Sequence, residues 1–420
     1  MPLARSWVET ANAPDCPFPL NNLPYGVFSV EGSPPRCGVA IGDQVLDLTG
    51  LEADGHLRIA TTPTLVAPSW NALMALGPDT WRALREKLTR MLDESEGEGA
   101  REIITPYLGP LSNVTLHMPF TVTEYTDFYA SRHHATNVGT MFRGAENALP
   151  PNWLHIPIGY NGRASSVIVS GTDIRRPWGQ VKAPEARQPT FSASARFDYE
   201  LELGAIVGTS SQRPLTVAEA DAMIFGYVLL NDWSARDIQA WEYQPLGPFQ
   251  AKATATSISP WIVTAQALDG FRRPVPPRSY APLPYLKEPH DTLFDIALEV
   301  DLARDGGVTA LTRTNYAEMY YSSAQQLAHH ASSGCPMRPG DLLGSGTISG
   351  PERENRGSLL ELSWGGSDPF ETHAGPRRFL EDGDEIVMRG AALGDGYQIG
   401  FGECRGRVLS ALEDPFGRAT

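Results

Sequence analysis

The feature that most constrains the fold is the way glycine and proline divide the chain from about residue 119 onwards. The 420 residues include 40 Gly and 35 Pro, and the segments between them in this part are short, β-prone and without long helical periods. This pattern predicts a large, mainly β domain with some α-helix. One helix is marked there by a capping box, Thr216 with Glu219. The proline-rich residues 271–290 predict a surface excursion, since proline cannot donate to a sheet.

The N-terminal part of the chain shows a different pattern. Residues 25–50 alternate short β-prone runs with Gly, Pro and Asp, which predicts β-hairpins. Residues 79–93 predict a helix with Asp79 as N-cap, because four apolar side chains recur at helical spacing. These four are Trp81, Leu84, Leu88 and Met91. We therefore predict two domains, residues 1–118 and residues 119–420.

Composition argues against several classes of protein. The formal net charge is −15 and no basic stripe is visible, so a nucleic-acid partner is not expected. No apolar run approaches the length of a membrane span, and the N-terminus lacks the apolar core of a signal peptide. We expect a soluble, cytoplasmic protein without a membrane partner. The four cysteines lie far apart without CxxC spacing, which predicts free thiols.

Two glutamates stand at alternate positions of a predicted strand. Glu200 and Glu202 project to the same face, and the apolar run 203–208 that follows indicates an interior strand. Like charges on an inward face repel, so a bound cation is one explanation, and a solvated polar face is the other. Asp232 follows a second apolar run, residues 224–231, which favours the cation. Carboxylates suit calcium or magnesium better than zinc.

Three further segments concentrate polar side chains. If the residues after Asp232 form a helix capped by Ser234, then Arg236, Gln239 and Tyr243 lie on one face, although a plain amphipathic surface helix has the same spacing. His329 and His330 are interpreted as structural. The remaining candidates are Asp127, Tyr129, His133, His134, Arg143, Lys252, Thr347 and Glu361.

These segments resemble the fumarylacetoacetase family over nearly the whole chain. The resemblance rests on long, irregular stretches such as "TDFYASRHHATNVG" from Thr126, "NDWSARDIQAWEYQPLGPF" from Asn231 and "GDGYQIGFGEC" from Gly394. It implies metal-dependent hydrolysis of the carbon–carbon bond of 4-fumarylacetoacetate to fumarate and acetoacetate, the last step of tyrosine and phenylalanine catabolism. It also implies a homodimer and a small N-terminal SH3-like β-barrel ahead of a large C-terminal β-sandwich roll.

The resemblance further implies roles for individual residues. Calcium would be held by four carboxylates: Asp127, Glu200, Glu202 and Asp232. A second, magnesium-linked position would involve Asp232, Lys252 and Thr256. His134 would be the general base with Glu361 as its partner, whereas His133 replaces the glutamine usual in the family. Oxyanion stabilisation would come from Arg236, Gln239 and Lys252. Substrate contacts would come from Tyr129, Arg143, Tyr160, Arg236, Gln239, Tyr243 and Thr347.

The implied chemistry is consistent with these residue types. A histidine with a reference pKa of about 6.5 can remove a proton from water near neutral pH, and cations can stabilise an enolate leaving group. Arg143, Arg236 and Lys252 would attract an acidic diketo substrate. Two alternatives remain: a related acylpyruvate or diketo-acid hydrolase or decarboxylase on the same scaffold, and a calcium-dependent binding module, which leaves the pairing of His134 with Glu361 unexplained.

Overall fold

Strands dominate the fold and helices cover their faces, as the distribution of glycine and proline predicts. The computed structural model describes residues 2–414, 416 and 417. The strands of the N-terminal part are β1 (Tyr25–Val30), β2 (Arg36–Ile41), β3 (Gln44–Asp47), β4 (Leu108–Pro110) and β5 (Val114–His117). The strands that follow are β6 (Tyr125–Phe128), β7 (Gly159–Asn161), β8 (Val167–Val169), β9 (Ile174–Arg175), β10 (Trp178–Val181), β11 (Thr190–Ala193), β12 (Phe197–Asp198), β13 (Leu201–Val207), β14 (Ile224–Asp232), β15 (Ser234–Ala235), β16 (Thr256–Ile258), β17 (Trp261–Thr264), β18 (Arg272–Arg273), β19 (Leu293–Phe294), β20 (Ala297–Arg304), β21 (Gly307–Asn315), β22 (Leu342–Gly344), β23 (Phe370–Thr372), β24 (Gly375–Arg377), β25 (Glu385–Leu393) and β26 (Gln398–Leu409).

The α-helices are shorter than the strand layers they cover. They are α1 (Leu48–Ala53), α2 (Asn71–Met74), α3 (Pro78–Leu92), α4 (Glu98–Ile104), α5 (Arg132–Arg143), α6 (Val217–Met223), α7 (Arg236–Glu242), α8 (Ala265–Leu268), α9 (Ser323–His330) and α10 (Leu359–Leu362). Among the described helices, none combines the length and the apolar character that crossing a lipid bilayer requires.

One large sheet runs through both parts of the chain. Its strand order is β4-β3-β2-β1-β17-β14-β13-β22-β6-β7; β5 also pairs with β1, and β16 pairs with β14 and β8. The predicted hairpins are present, since β1, β2 and β3 are antiparallel neighbours. Tyr25 and Gly26 in β1 lie opposite Ile262 and Trp261 in β17, which makes the N-terminal strands a continuation of the C-terminal ones. The strands in the described part of the chain do not close into a barrel, so the SH3-like detail is not confirmed.

A second sheet, ordered β21-β20-β25-β26-β9, packs against the large one. A Cβ atom added to Gly390 in β25 would lie 2.9 Å from Leu229 of β14, which shows how closely the two layers approach. Among the described residues, the largest apolar cluster includes buried side chains of both sheets, and the N-terminal strands contribute to two further clusters. The fold is therefore mainly β with some α, as expected.

Helix α3 begins two residues earlier than predicted. Its N-cap is Gly77, with φ of +87°, and Pro78 occupies the first helical position, where the fixed φ of proline suits the helix and its missing N–H is not needed. The expectation that Asp79 is the N-cap was wrong; it lies in the exposed first turn. Three of the four predicted apolar residues, Trp81, Leu84 and Leu88, are buried, and Met91 is half-buried.

Two other local predictions are confirmed. In α6 the Thr216 hydroxyl accepts from the Glu219 N–H at 3.3 Å, and the Glu219 carboxylate accepts from the Thr216 N–H at 2.8 Å. The proline-rich residues 271–290 run mostly over the surface, held by Arg278, whose guanidinium lies over two aromatic rings. These rings belong to Tyr320 and Tyr321, which border the core.

Candidate active site

A cavity of about 330 Å³ lies among β6, β7, α5 and α7. Much of its wall consists of residues that the sequence analysis selected. Those lining it are Asp127, Tyr129, His134, Arg143, Tyr160, Glu200, Arg236, Gln239, Tyr243, Lys252 and Thr347. Four other selected residues, Glu202, Asp232, Thr256 and Glu361, are fully buried behind this wall.

The four acidic residues come together because their strands are neighbours. Strand β13 hydrogen-bonds to β14 on one side and β22 on the other, and β22 pairs with β6, so the interior strand predicted for Glu202 is confirmed. Asp232 ends β14 and Asp127 lies in β6, while Glu200 directly precedes β13. One carboxylate oxygen from each of the four residues lies within 4.8 Å of the others, and all four are buried. The solvated polar face is therefore excluded.

Two of these carboxylates are compensated by cations. The Lys252 ammonium lies 2.5 Å from Glu200 and 2.7 Å from Asp232, and the Arg236 Nη1 donates to Glu200 at 2.7 Å. Burial alone would raise the pKa of Glu200, but Lys252 and Arg236 hold it well below its ordinary value. Glu200 is therefore a permanently charged member of the cluster.

The other two carboxylates lack such compensation. Within the described residues, neither Asp127 nor Glu202 forms an ion pair, and the Asp127 Oδ1 and Glu202 Oε1 atoms are buried without a hydrogen-bond partner. Burial, together with the neighbouring carboxylates, raises the pKa of both. A divalent cation bound among the four carboxylates would neutralise the negative charges of Asp127 and Glu202, which no cationic side chain in the described part of the chain balances.

The backbone leaves room for such an ion. Gly344 ends β22, and a Cβ atom there would lie 2.7 Å from the Asp127 Oδ1 and 2.9 Å from the Glu202 Oε2. Carboxylate oxygens are the donors that hard divalent cations prefer. The cluster therefore fits a divalent metal ion of this kind, which Asp127, Glu200, Glu202 and Asp232 would hold.

Lys252 and Thr256 lie beside this cluster. The Thr256 hydroxyl donates to the Asp232 Oδ1 at 3.2 Å. Burial lowers the pKa of Lys252, but the negative charges of Asp232 and Glu200 raise it by a larger amount, so the pKa lies above its ordinary value. A protonated ammonium has no lone pair, so the Lys252 Nζ acts as a counter-charge and not as a metal ligand. The second, magnesium-linked position at Asp232, Lys252 and Thr256 stays a prediction, in which Lys252 would border the ion and not ligate it.

His134 is the histidine that faces the cavity. It lies in the first turn of α5, where the Ser131 side chain caps the helix, and its Nδ1 is 2.6 Å from the Glu361 Oε2. His133, one residue earlier, is 37% exposed and lies 3.6 Å from Glu318. Adjacent helix positions point in different directions, so only one of the two histidines can reach the cavity. The register inferred from "HATNVG" agrees with this geometry.

Glu361 is held by more than its histidine. Burial alone would raise its pKa, but His134 and three further hydrogen bonds keep it below the ordinary value. The further donors are Asn137 at 2.9 Å, Ser349 at 3.0 Å and Ser358 at 2.9 Å. A carboxylate with four donors remains ionised and fixes the orientation of the imidazole.

Helix α7 presents Arg236, Gln239 and Tyr243 to the cavity, as their spacing predicts. The expectation that Ser234 caps this helix was wrong. Ser234 lies in β15, where its backbone pairs with Asp198, and its hydroxyl donates to the Asp232 carbonyl at 3.0 Å. The helix starts one residue later, after an N-cap alanine whose methyl group cannot cap.

The Arg236 guanidinium is fixed on two sides. Its Nε donates to Asp198 at 2.8 Å, and its Nη1 donates to Glu200 at 2.7 Å and to Gln239 at 3.1 Å. Its Nη2 is buried, and none of the described groups accepts from it; the same holds for the Thr347 hydroxyl. Both residues line the cavity, so these two donors are left for a ligand.

Tyrosines and one arginine form the rest of the wall. Tyr160 donates to the Asp127 Oδ2 at 3.0 Å, and the Tyr129 ring lies edge-on to the His134 ring, with centroids 5.3 Å apart. Arg143 is exposed at the mouth, where it donates to the carbonyls of Asn147 and Ala148.

The loop between α7 and Lys252 is closed by a carboxylate. Glu242 accepts from the N–H groups of Phe249 at 2.8 Å, Gln250 at 3.1 Å and Ala251 at 2.8 Å. This arrangement fixes the turn that delivers Lys252. The loop that it closes carries Leu246, which is 93% exposed and still lines the cavity.

Sequence reasoning missed several supporting residues. Asn137 lies one helical turn after His134, so helical spacing offered a signal for it. Asp198 starts the same run of residues as Glu200, but its partners lie far away in sequence. Ser358 stands three residues before Glu361, the spacing of a capping box, so it also offered a signal. The contact of Ser349 with Glu361 and the acceptor role of Glu242 had no pattern that could reveal them.

Comparison with known proteins agrees with the geometry. The family model for the fumarylacetoacetase N-terminal domain matches residues 21–119, and that for the fumarylacetoacetate (FAA) hydrolase C-terminal domain matches residues 123–409. The chain is 50% identical over 415 residues to fumarylacetoacetase of Homo sapiens, and this match covers 95% of this chain and 98% of that protein. It is 45% identical over 419 residues to fumarylacetoacetase of Arabidopsis thaliana, covering 97% and 99%.

A solved structure shares the fold at low sequence identity. It is described as a putative HpcE protein from Mycobacterium smegmatis and superposes with a TM-score of 0.55 at 18% identity, covering 92% of this chain and 99% of that one. With both family models and two long relatives in agreement, the chain belongs to the fumarylacetoacetate hydrolase family.

Proposed function

We propose that this protein hydrolyses the carbon–carbon bond of 4-fumarylacetoacetate, giving fumarate and acetoacetate as the last step of tyrosine and phenylalanine catabolism. The observation that carries the proposal is the meeting, at one cavity, of the pair His134–Glu361 with a buried acidic cluster and the cations Arg236 and Lys252. The names of the relatives at 44–50% identity support the choice of substrate.

In this mechanism His134 is the general base. Since its Nδ1 is bound to Glu361, Nε2 is the ring nitrogen that takes a proton from water. The resulting hydroxide oxygen bonds to the carbonyl carbon next to the fumaryl chain. Glu361 stabilises the imidazolium that forms, because four hydrogen bonds keep this carboxylate ionised.

The negative charge that develops on the carbonyl oxygen needs donors. Arg236 and Gln239 lie on the cavity face of α7, with Lys252 beside them, so we assign these three residues to oxyanion stabilisation. A divalent cation in the acidic cluster, calcium or magnesium, would supply Lewis-acid stabilisation of negative charge on oxygen. Tyr129, Tyr160, Tyr243, Arg143 and Thr347 would contact the substrate.

Bond cleavage then releases the products. The bond between the carbonyl carbon and the adjacent methylene breaks, and its electron pair stays with the methylene carbon, delocalised onto the neighbouring ketone oxygen as an enolate. His134 returns its proton to that carbon, which becomes the methyl group of acetoacetate. The second proton of the water is lost when the new carboxylic acid of fumarate ionises.

Broader expectations accompany this proposal. Residues 1–118 would form a supporting domain and residues 119–420 the catalytic domain, which is consistent with the position of every assigned side chain between Asp127 and Glu361. A homodimer in the cytoplasm, acting on a small diketo acid, remains our prediction.

The test is an assay of purified protein. Loss of fumarylacetoacetate is followed spectrophotometrically after chelation and again after adding calcium or magnesium, while fumarate and acetoacetate are quantified. We expect equimolar products and metal-restored turnover. Turnover of an acylpyruvate in place of fumarylacetoacetate would refute the proposed substrate and favour a related diketo-acid hydrolase.

A further inference from the structure

A buried aspartate joins the two halves of the candidate active site. We propose that Asp198 is a positioning residue that orients the Arg236 guanidinium in the cavity and ties it to the segment carrying Glu361. The inference rests on the proposed function, because its readout is turnover of the same substrate.

Asp198 uses both of its oxygens. It is 0% exposed, and its Oδ2 accepts from the Arg236 Nε at 2.8 Å and from the Leu360 N–H at 2.9 Å. Its Oδ1 accepts from the N–H groups of Tyr199 and Leu359, both at 2.8 Å. The side chain therefore spans from the cavity arginine to the start of α10.

These contacts determine which part of the guanidinium is free. Asp198 holds one edge through Nε, and Glu200 holds another through Nη1. A planar guanidinium that is held at two edges cannot rotate, so Nη2 remains as the donor for an anionic oxygen. Without Asp198, the group would be held only through Nη1, by Glu200 and Gln239, and could turn about that one nitrogen.

The same carboxylate also fixes the other half of the site. Leu359 and Leu360 directly precede Glu361, which is hydrogen-bonded to His134. Asp198 accepts from both of these backbone N–H groups. It therefore sets the distance between the Arg236 guanidinium and the pair His134–Glu361. Such supporting groups typically change activity about 10–100-fold when they are removed.

A simpler role has to be distinguished from this one. If Asp198 only stabilised the start of α10, its loss would lower activity through Glu361 and would not depend on Arg236. If it acts through Arg236, the loss should be clearly smaller once Arg236 is already replaced. A double-mutant cycle separates the two roles.

The experiment measures kcat, KM and Tm for Asp198→Asn, Arg236→Met and the double variant. We expect Asp198→Asn to lower kcat by about 10–100-fold in the wild-type background and by a clearly smaller factor in the Arg236→Met background, where only its contacts with Leu359 and Leu360 remain. An equal fold loss in both backgrounds would overturn the proposal. The control is Asp301→Asn, which removes a carboxylate paired with Arg313 and Arg389 on the second sheet; it should lower Tm without changing kcat.

A second variant keeps the test decisive if Asp198→Asn does not fold. Arg236→Lys keeps the charge but cannot hold Asp198 and Glu200 with one planar group. It should show a comparable loss of kcat, and a wild-type kcat would refute the positioning role. Wild-type protein is assayed first: no turnover there contradicts the proposed function, whereas normal turnover with a contrary double-mutant cycle contradicts only this inference.

Discussion

Replacing Gly344 by alanine tests whether the acidic cluster is a metal site. The added Cβ would lie 2.7 Å from the Asp127 Oδ1 and 2.9 Å from the Glu202 Oε2, where ordinary contact begins near 3.4 Å. The Asp127 oxygen must therefore move by about 0.7 Å and the Glu202 oxygen by about 0.5 Å. Metal–ligand distances tolerate only about 0.2 Å, so the two carboxylates could not keep a common ion at its normal distances.

The expected result is a loss of metal affinity. We expect Gly344→Ala to weaken binding of calcium or magnesium by about 10–100-fold, which corresponds to about 1.4–2.8 kcal/mol. Isothermal titration calorimetry on chelated protein measures the affinity directly, and the rise in Tm on adding metal provides a second readout. Both readouts are independent of turnover.

Gly204 offers a matched control. It lies opposite Gly344 in the pairing of β13 with β22, and a Cβ there would meet only apolar atoms, at 2.8 Å from Leu342 and 3.1 Å from Val228. Overpacking should lower the stability of both variants by about 1–3 kcal/mol, but only Gly344→Ala should lose metal affinity. Unchanged affinity in Gly344→Ala, or an equal loss in Gly204→Ala, would refute the reasoning.

Three further predictions concern the base, the oxyanion donors and the metal. His134→Ala should lower kcat by about 10²–10⁴-fold, while His133→Gln should leave it nearly unchanged. If steady-state kinetics show the reverse, His133 and not His134 is the general base. Gln239→Ala should lower kcat by about 10²–10³-fold with little change in KM; an unchanged kcat would remove this amide from the mechanism. The raised pKa values of Asp127 and Glu202 mean that, above the ordinary carboxyl pKa, the metal-free folded protein binds more protons than the unfolded chain. Its Tm should therefore fall as the pH rises from that value towards neutrality. Added calcium should restore Tm most at the higher pH, and a metal-free Tm that does not change with pH would contradict this.

Local patterns predicted much of the site, because its main residues follow simple periods. The period of two in β13 identified Glu202 as inward-facing, and the spacing along α7 placed Arg236 and Gln239 on one face. The position of Asp232 at the end of an apolar run favoured a cation beside these glutamates, although it did not exclude a solvated polar face. Each of these signals can be read within a single strand or helix, without knowing how distant segments pack.

Predictions failed where distant segments decide the local structure. Ser234 is a good helix cap in isolation, but the pairing of β15 with β12 keeps it in a strand. Asp198 could not be recognised because its partners, Leu359 and Leu360, lie about 160 residues away. The continuous sheet formed by β1 and β17 was hidden for the same reason, since strand pairing across such a separation leaves no period in the sequence.

The carboxylate of Glu242 divides its loop into an anchored part, which positions Lys252, and an exposed rim, which lines the cavity at Leu246. By gathering the N–H groups of Phe249, Gln250 and Ala251, it anchors Lys252 whatever the shape of the residues before them. The rim of that loop is exposed at Leu246 and takes no part in this anchoring. Replacing residues of this rim, such as Leu246, should therefore alter which acyl chains are accepted while leaving the chemistry of the lysine in place.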